Sequence, residues 1–356
     1  MHNKQLTTQN DFSVSDRTSI LIIYTGGTIG MINEPMTQAL VPVDFGEISR
    51  QLPELRKFDL DLRTHTFSPP EDSSNITPEF WVRLARLIGE FFDQYDGFVV
   101  LHGTDTMCYS ASALSYMLQN LNKPVIFTGS QLPIGTLRTD GKENLLTAIE
   151  IAAEKHQGQS MVPEVGIFFQ NKLFRGNRTT KHNAEYFNAF VSENYPPLAE
   201  SGIHIHYNYH AIRYPVTDRA LVVKTSLDDR VGLLKIFPGI RPEVVKGVLE
   251  VPGLRGVLLE SFGTGNAPTS KWFLSAIREA VERGLVILNI TQCPAGSVDP
   301  GKYETSRLLH EAGVINGRDM TTEAAMTKLM FVLGHEEKPE RIADSLRKTI
   351  SGEITF

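Results

Sequence analysis

Short β-branched apolar runs alternate along the chain with stretches whose apolar residues recur at helical spacing, the pattern of βα units on a mostly parallel sheet. Strands are predicted at 19–24, 60–66, 97–101, 124–128 and 164–170. Between the second and third, residues 78–92 place Phe80, Trp81, Leu84, Leu87, Ile88 and Phe91 on one helical face. Thr77 followed by Pro78 and Glu79 is a good helix start, because Pro tolerates the first turn and an acid suits it. Further helices are predicted after 102–105, with Leu114, Met117 and Leu118 inward, and over 140–154.

From about 195 to 216, adjacent prolines, aromatic residues and histidines break the rhythm, and the interdomain region is placed there or shortly after. Strands then return at 231–237, 256–260 and 285–290, with helices at 241–250, 269–283, 303–311 and 321–333. The expected fold is therefore α/β in two domains. A polar tail over 1–17 precedes a larger N-terminal domain over 18–215, followed by a smaller α/β domain over 216–356. A length of 356 residues suits two cores of ordinary size.

Charge and cysteine content narrow the class. The net charge of -6 is mild and neither sign forms long blocks, which argues against nucleic acid or an acidic membrane as partner and for a small molecule. The first residues lack the apolar stretch of a secretory signal, and no run is long enough to span a bilayer. Cys108 and Cys293 are far apart and in no metal-ligand spacing, so no disulfide framework or zinc site is expected and a reducing cytoplasm fits. His204 and His206 share one face of a predicted strand, but no third ligand accompanies them, and a metal is not expected.

Candidate chemistry sits on turns that follow strands, since ligands in open α/β sheets gather beyond the strands' carboxyl ends. The segment 22–30, IIYTGGTIG, ends an apolar strand in two glycines and presents Thr28 beside bare amide donors, as a nucleophile facing an oxyanion requires. The commoner use of such a turn is to cradle phosphate, but Gly26, Gly27 and Gly30 miss the dinucleotide spacing. The stretch 135–142, GTLRTDGK, fails as a phosphate loop because it is one residue too long and Glu143 replaces the magnesium-binding hydroxyl.

Two later turns carry similar groups: HGTDTM holds Thr104 and Asp105, and TGSQ holds Ser130. Helix capping accounts for some of these hydroxyls, such as that of Thr106. RGNRTTK, 175–181, is too polar for core and reads as a surface loop unless Lys181 assists a hydroxyl, for an unaided threonine is a poor nucleophile at neutral pH.

TGGTIG, HGTDTM, TGSQ and RGNRTTK, with DSS at 72–74, SFGTGNAP at 261–268 and LNITQC at 288–293, make the chain resemble the L-asparaginases of the bacterial cytoplasmic type I branch. The resemblance covers nearly the whole length. It implies hydrolysis of the side-chain amide of L-asparagine without a cofactor, in a homodimer or homotetramer. By motif, Thr28 attacks and forms a β-acyl-enzyme, Thr104 and Asp105 are the second threonine and its aspartate, and Lys181 bonds to Thr104. Asp105 also holds the substrate ammonium, Ser73 and Ser74 grip its α-carboxylate and amine, and Ser130 or its backbone meets the leaving amide. Backbone amides near Gly27 and Thr104 are the oxyanion donors.

A lysine base must be neutral, which burial favours and a neighbouring carboxylate such as Asp105 opposes, so a tyrosine is the other candidate for activating Thr28. Many relatives carry it on the loop after TGGTIG, but 33–43 contains none and Leu40 occupies the nearest place. Others supply it from the C-terminal domain in a Gly-x-Tyr segment, which Gly301, Lys302 and Tyr303 match. Packing at a helix start is the rival use of Tyr303. The polar loop 31–42 is expected to act as a lid.

Thr180, Asn266 and Cys293 match positions of a second, regulatory asparagine site in some relatives, where an arginine precedes the SFG-like segment. Glu260 stands there instead, a repelling anion for a carboxylate ligand, and argues against the same effector site. Cys293 then reads as a small apolar residue. Rival functions are a glutaminase-asparaginase, the asparaginase-like subunit of a tRNA amidotransferase, which usually carries an extra N-terminal domain, and a non-catalytic amino-acid-binding protein.

Overall fold

The computed structural model describes residues 17–33, 40–42, 52–215, 219–299 and 304–355. Its first unit is built from β1 (Ser19–Tyr24), β2 (Asp61–Thr66), α1 (Pro78–Phe91), β3 (Gly97–Leu101), α2 (Met107–Met117), β4 (Val125–Thr128), α3 (Gly141–Ala153), β5 (Val165–Phe169), β6 (Lys172–Arg175), β7 (Ala199–Ser201) and β8 (Ile205–Tyr207). These strands form one eight-stranded sheet in the order β8-β7-β6-β5-β4-β3-β1-β2. The five strands from β2 to β5 pair in parallel and the last three antiparallel.

Every residue of β3 and β5 is buried, as expected of parallel strands covered on both faces. Strand alternation sends Leu21, Ile23, Phe98 and Val100 into the core beneath α1 and α2, and Ile20, Ile22, Val99 and Leu101 into the core beneath α3.

The second unit comprises β9 (Val231–Lys235), α4 (Pro242–Leu249), β10 (Gly256–Ser261), α5 (Lys271–Glu282), β11 (Val286–Thr291), α6 (Glu304–Glu311), β12 (Ile315–Asn316), α7 (Thr322–His335) and α8 (Pro339–Arg347). Its sheet, β9-β10-β11-β12, is wholly parallel. Helices α4 and α5 cover one face around Phe273 and Ile277. On the other face lies α7, whose Leu329 and Phe331 share a single core with Leu114 and Met117 of α2. Helix α2 is buried on nearly every side and α7 on most, polar Ser110, Ser112, Glu323 and Lys328 included, because each lies between the two sheets.

Two sequence expectations change. Residues 199–201 and 205–207 belong to the edge of the large sheet rather than to an interdomain region, because β6 offers an unpaired antiparallel edge that short polar strands can complete. His206 lies on β8 and His204 in the bend before it, both exposed.

RGNRTTK is also not a solvated loop: residues 175–179 are buried. Arg175 pairs with Glu164 at 2.7 Å and lies 4.3 Å from the centre of the Tyr195 ring. Arg178 pairs with Asp319 of the second domain at 2.7 Å and donates to the Thr355 hydroxyl at 2.8 Å. Composition alone cannot show that each cation meets a partner distant in sequence. Breaking a buried pair of this kind typically costs about 3–5 kcal/mol, so Arg175–Glu164 holds the first domain together, whereas Arg178–Asp319 ties it to the second.

Candidate active site

Three turns converge beyond the carboxyl ends of β1, β2 and β3. Gly27 adopts φ 90 and begins a single 3-10 turn over Thr28–Gly30. A methyl group built on it would lie 2.5 Å from the Gly103 nitrogen, so only glycine lets the Thr28 turn meet the turn after β3. Gly103 in turn abuts Ser73, whose Oγ would stand 2.4 Å from an added methyl group. The Thr106 hydroxyl donates to the Ser73 carbonyl at 2.7 Å. Thr106 occupies the N-cap position of α2 but makes no side-chain cap bond, because its hydroxyl tethers the Ser73 loop instead.

Thr28 is half-buried, and among the described residues nothing hydrogen-bonds to its hydroxyl. Nor does any described group accept from the backbone N–H of Thr28 or of Thr104. A free hydroxyl and two uncommitted amide donors are thus held on abutting turns. Tyr24, the phenol nearest in sequence, donates to the Gly30 carbonyl at 3.1 Å, and burial pushes its pKa up to about 12. It braces the turn and does not serve as a base near neutrality.

Lys181 reaches this group from a short strand, Thr180–Lys181, paired with Phe190–Val191. Its Nζ lies 2.8 Å from Thr104 Oγ1 and 2.6 Å from Asp105 Oδ1. The lysine side chain is 15% exposed and that of Asp105 66%, so the pair has one dry and one wet end. Ser74, exposed, donates through its N–H and its hydroxyl to Asp72. Both bonds hold the Asp72 carboxyl below the usual carboxylate range. The hydroxyl of Ser130 donates to the Leu132 carbonyl at 2.5 Å, which leaves its backbone as the part that can meet a ligand.

Sequence reasoning missed two members of this arrangement. Gln131, quoted in TGSQ but given no role, accepts from Thr104 Oγ1 at 3.4 Å and donates to the Tyr186 carbonyl at 3.2 Å. His102 opens HGTDTM and is buried beneath the Thr104 turn. Its Nδ1 lies 2.7 Å from the Gly103 carbonyl and so carries the proton, while its Nε2 accepts from Ser110, which accepts from Trp81. This chain anchors the turn from below.

Burial holds the His102 pKa down to about 4, against an ordinary value near 6.5. Between those values the unfolded chain binds a proton that the native one refuses, so stability rises with pH through the window and falls on acidification. We expect the step from pH 7 to pH 5 to cost about 2 kcal/mol through His102. Urea midpoints at the two pH values check this: His102→Gln should lack that increment, and an equal acid loss in the variant would refute it.

Of the three residues matched to a regulatory site, Thr180 donates to Glu323 Oε1 at 2.6 Å. Burial pushes the Glu323 carboxyl up, its Oε2 has no partner among the described residues, and neighbouring Thr322 donates to Glu260 at 2.6 Å. Glu260 also pairs with Lys235 at 3.1 Å. Asn266 closes a tight turn onto Phe262 just past β10. Cys293 follows β11 and is exposed, not packed as a small apolar side chain, because β11 ends two residues before it.

Tyr303 and residues 34–39 of the expected lid lie outside the described residues, although Met31–Asn33 and Leu40–Pro42 pair as a hairpin. Among the described residues no group of three or more His, Cys, Asp or Glu is placed to hold a metal ion, and no helix is long and apolar enough to cross a membrane.

Comparison with known proteins places this arrangement. The N-terminal asparaginase domain model matches residues 19–213, and the glutaminase/asparaginase C-terminal domain model matches residues 230–346. L-asparaginase 1 of Escherichia coli K12 is 46% identical over 341 residues, covering 95% of this chain and 98% of that one. The crystal structure of L-asparaginase I from Vibrio cholerae is similar at a TM-score of 0.86 and 40% identity, over 96% of this chain and 100% of that one. The thermostable L-asparaginase of Thermococcus kodakarensis aligns at a TM-score of 0.87 and 34% identity, over 95% and 100%. By domain content, identity and fold, the chain belongs to the asparaginase family.

Proposed function

We propose that the chain hydrolyses the side-chain amide of L-asparagine to L-aspartate and ammonia through an ester on Thr28. The observation that carries this reading is the free Thr28 hydroxyl on a glycine-enforced turn, abutting the turn that presents Thr104 to Lys181. In the first half, Thr28 Oγ adds to the amide carbon as its proton leaves to a base, and the oxyanion is met by the N–H groups of Thr28 and Thr104. The C–N bond then breaks, the nitrogen takes a proton, and ammonia departs. In the second half, water adds to the ester, returns a proton to Thr28 and releases aspartate.

Asp105 takes the substrate ammonium, Ser73 and Ser74 its α-groups, and the Ser130 backbone with Gln131 the leaving amide. No cofactor enters this scheme. The catalytic unit is residues 18–215, the second domain is 216–356, and the chain acts in the cytoplasm as a homodimer or homotetramer. The hairpin loop over 31–42 closes over bound substrate.

Tyr303 takes the proton from Thr28 in this reading. Tyr303→Phe is expected to lower kcat about 10²-fold while KM stays nearly constant, since only proton handling is removed. Steady-state rates of the variant check it, and an unchanged kcat returns the role to Lys181 or to the loop.

A regulatory asparagine at Thr180, Asn266 and Cys293 is disfavoured, because Glu260 and Glu323 would face its carboxylate. Ammonia release from asparagine and glutamine side by side, over a wide concentration range, tests function and regulation together. We expect turnover of asparagine with a hyperbolic dependence; a clear sigmoid restores the effector site. No ammonia from either amide supports a binding protein, and equal rates a glutaminase-asparaginase.

A further inference from the structure

The catalytic turns all leave the carboxyl ends of the parallel strands. A cavity of about 560 Å³ lies at the opposite edge, where Pro163 and Glu164 lead into β5 and Leu118 leaves α2. Its walls come from both domains and from the segment joining them: Glu164, Arg175, Arg213 and Gln119 on one side, Arg219 beyond the joining residues, and Ser351 of the C-terminal segment. Three guanidinium groups thus line it with one carboxylate.

That carboxylate is fully engaged. Glu164 accepts from Nε and Nη2 of Arg175 at 2.7 and 3.1 Å, and from the backbone N–H of Arg213 at 2.6 Å. The side chains of Arg213 and Arg219 are exposed, and among the described residues neither has an acidic partner. Two uncompensated cations therefore share a concave site in a chain whose net charge is -6, where a randomly placed excess would be negative. Planar guanidinium forks match paired oxygens of carboxylate or phosphate, and the volume lies in the range of small-ligand sites.

We propose that this cavity binds a small organic anion bearing two or more negative charges on carboxylate or phosphate oxygens, held between Arg213 and Arg219. The site is remote from Thr28 and independent of the catalytic reading. Because its walls belong to both domains, occupancy stabilises their association and raises the unfolding temperature with the logarithm of ligand excess.

Isothermal titration calorimetry and thermal unfolding on the full chain test this, with citrate and inorganic triphosphate as probes at constant ionic strength. Saturating L-aspartate keeps the catalytic cleft filled throughout. One saturable site per chain is expected for at least one probe, together with a rise in unfolding temperature. The Arg213→Gln/Arg219→Gln double variant should weaken it at least about tenfold, as expected for loss of charge-assisted bonds. Both arginines are exposed, so the variant should fold, and its asparagine turnover should match that of the parent. Tighter binding of triphosphate assigns the ligand to phosphates, tighter binding of citrate to carboxylates. No saturable binding of either probe, or equal affinity in the double variant, overturns the proposal.

Discussion

Thr28→Ala is expected to lower kcat for asparagine by about 10⁴-fold or more, the scale on which removal of an enzyme's nucleophile acts. Its stability should hardly change, because the hydroxyl has no described partner to lose and the turn is set by Gly27, not by residue 28. Aspartate affinity should likewise be retained, since the ligand's charged ends are assigned to Asp105, Ser73 and Ser74. Rapid quenching followed by peptide mass analysis supplies the direct readout: the parent enzyme should carry an aspartyl ester on the peptide containing Thr28, and Thr28→Ala should carry none. Label on another side chain, or equal ammonia release by parent and variant, would remove Thr28 from the chemistry.

How far this could be read from sequence depended on whether the deciding interaction was local. The strand 19–24 and the helix beginning at Pro78 are visible because alternation and helical spacing report burial directly, and the structure bears both out. The edge strands β7 and β8 carry polar residues and pair only because β6 is there to receive them. RGNRTTK was legible in its lysine but not in its arginines: Lys181 meets Thr104 and Asp105, 77 and 76 residues away but standing in a recognisable motif, whereas Arg175 and Arg178 are neutralised by Glu164 and Asp319, which no motif marks.

The site shows the same division. Thr28, Thr104, Asp105 and Lys181 stand in motifs, and the last three are in hydrogen-bond contact in the structure. The supporting chain from Trp81 through Ser110 to His102 has no sequence signature, because its three side chains come from α1, α2 and a turn and meet only after packing. The surroundings of Thr180 are similarly three-dimensional. Glu260 signalled a charge reversal, but Glu323, which holds Thr180 next to Lys181, could be found only once α7 was laid against the first domain.

Lys181→Met should lower kcat about 10³-fold, within the range for loss of a positioned proton-handling or charge-stabilising group. Methionine preserves the aliphatic stem and removes only the ammonium. Thr104 Oγ1 then keeps a single contact, to Gln131 at 3.4 Å, while the largely exposed Asp105 is free to hydrate. The loss should therefore fall on kcat and not on folding, and unfolding temperatures of parent and variant should nearly coincide. Lys181→Arg separates the two ways the lysine can act. An arginine cannot deprotonate, so it replaces an orienting cation but not a base. With Asp105 only 2.6 Å away, the orienting cation is the role the geometry favours, and the arginine variant should recover kcat to within about tenfold of the parent. An arginine variant as slow as Lys181→Met would make the neutral amine the proton acceptor for Thr104. A methionine variant with parental kcat would take Lys181 out of the machinery altogether.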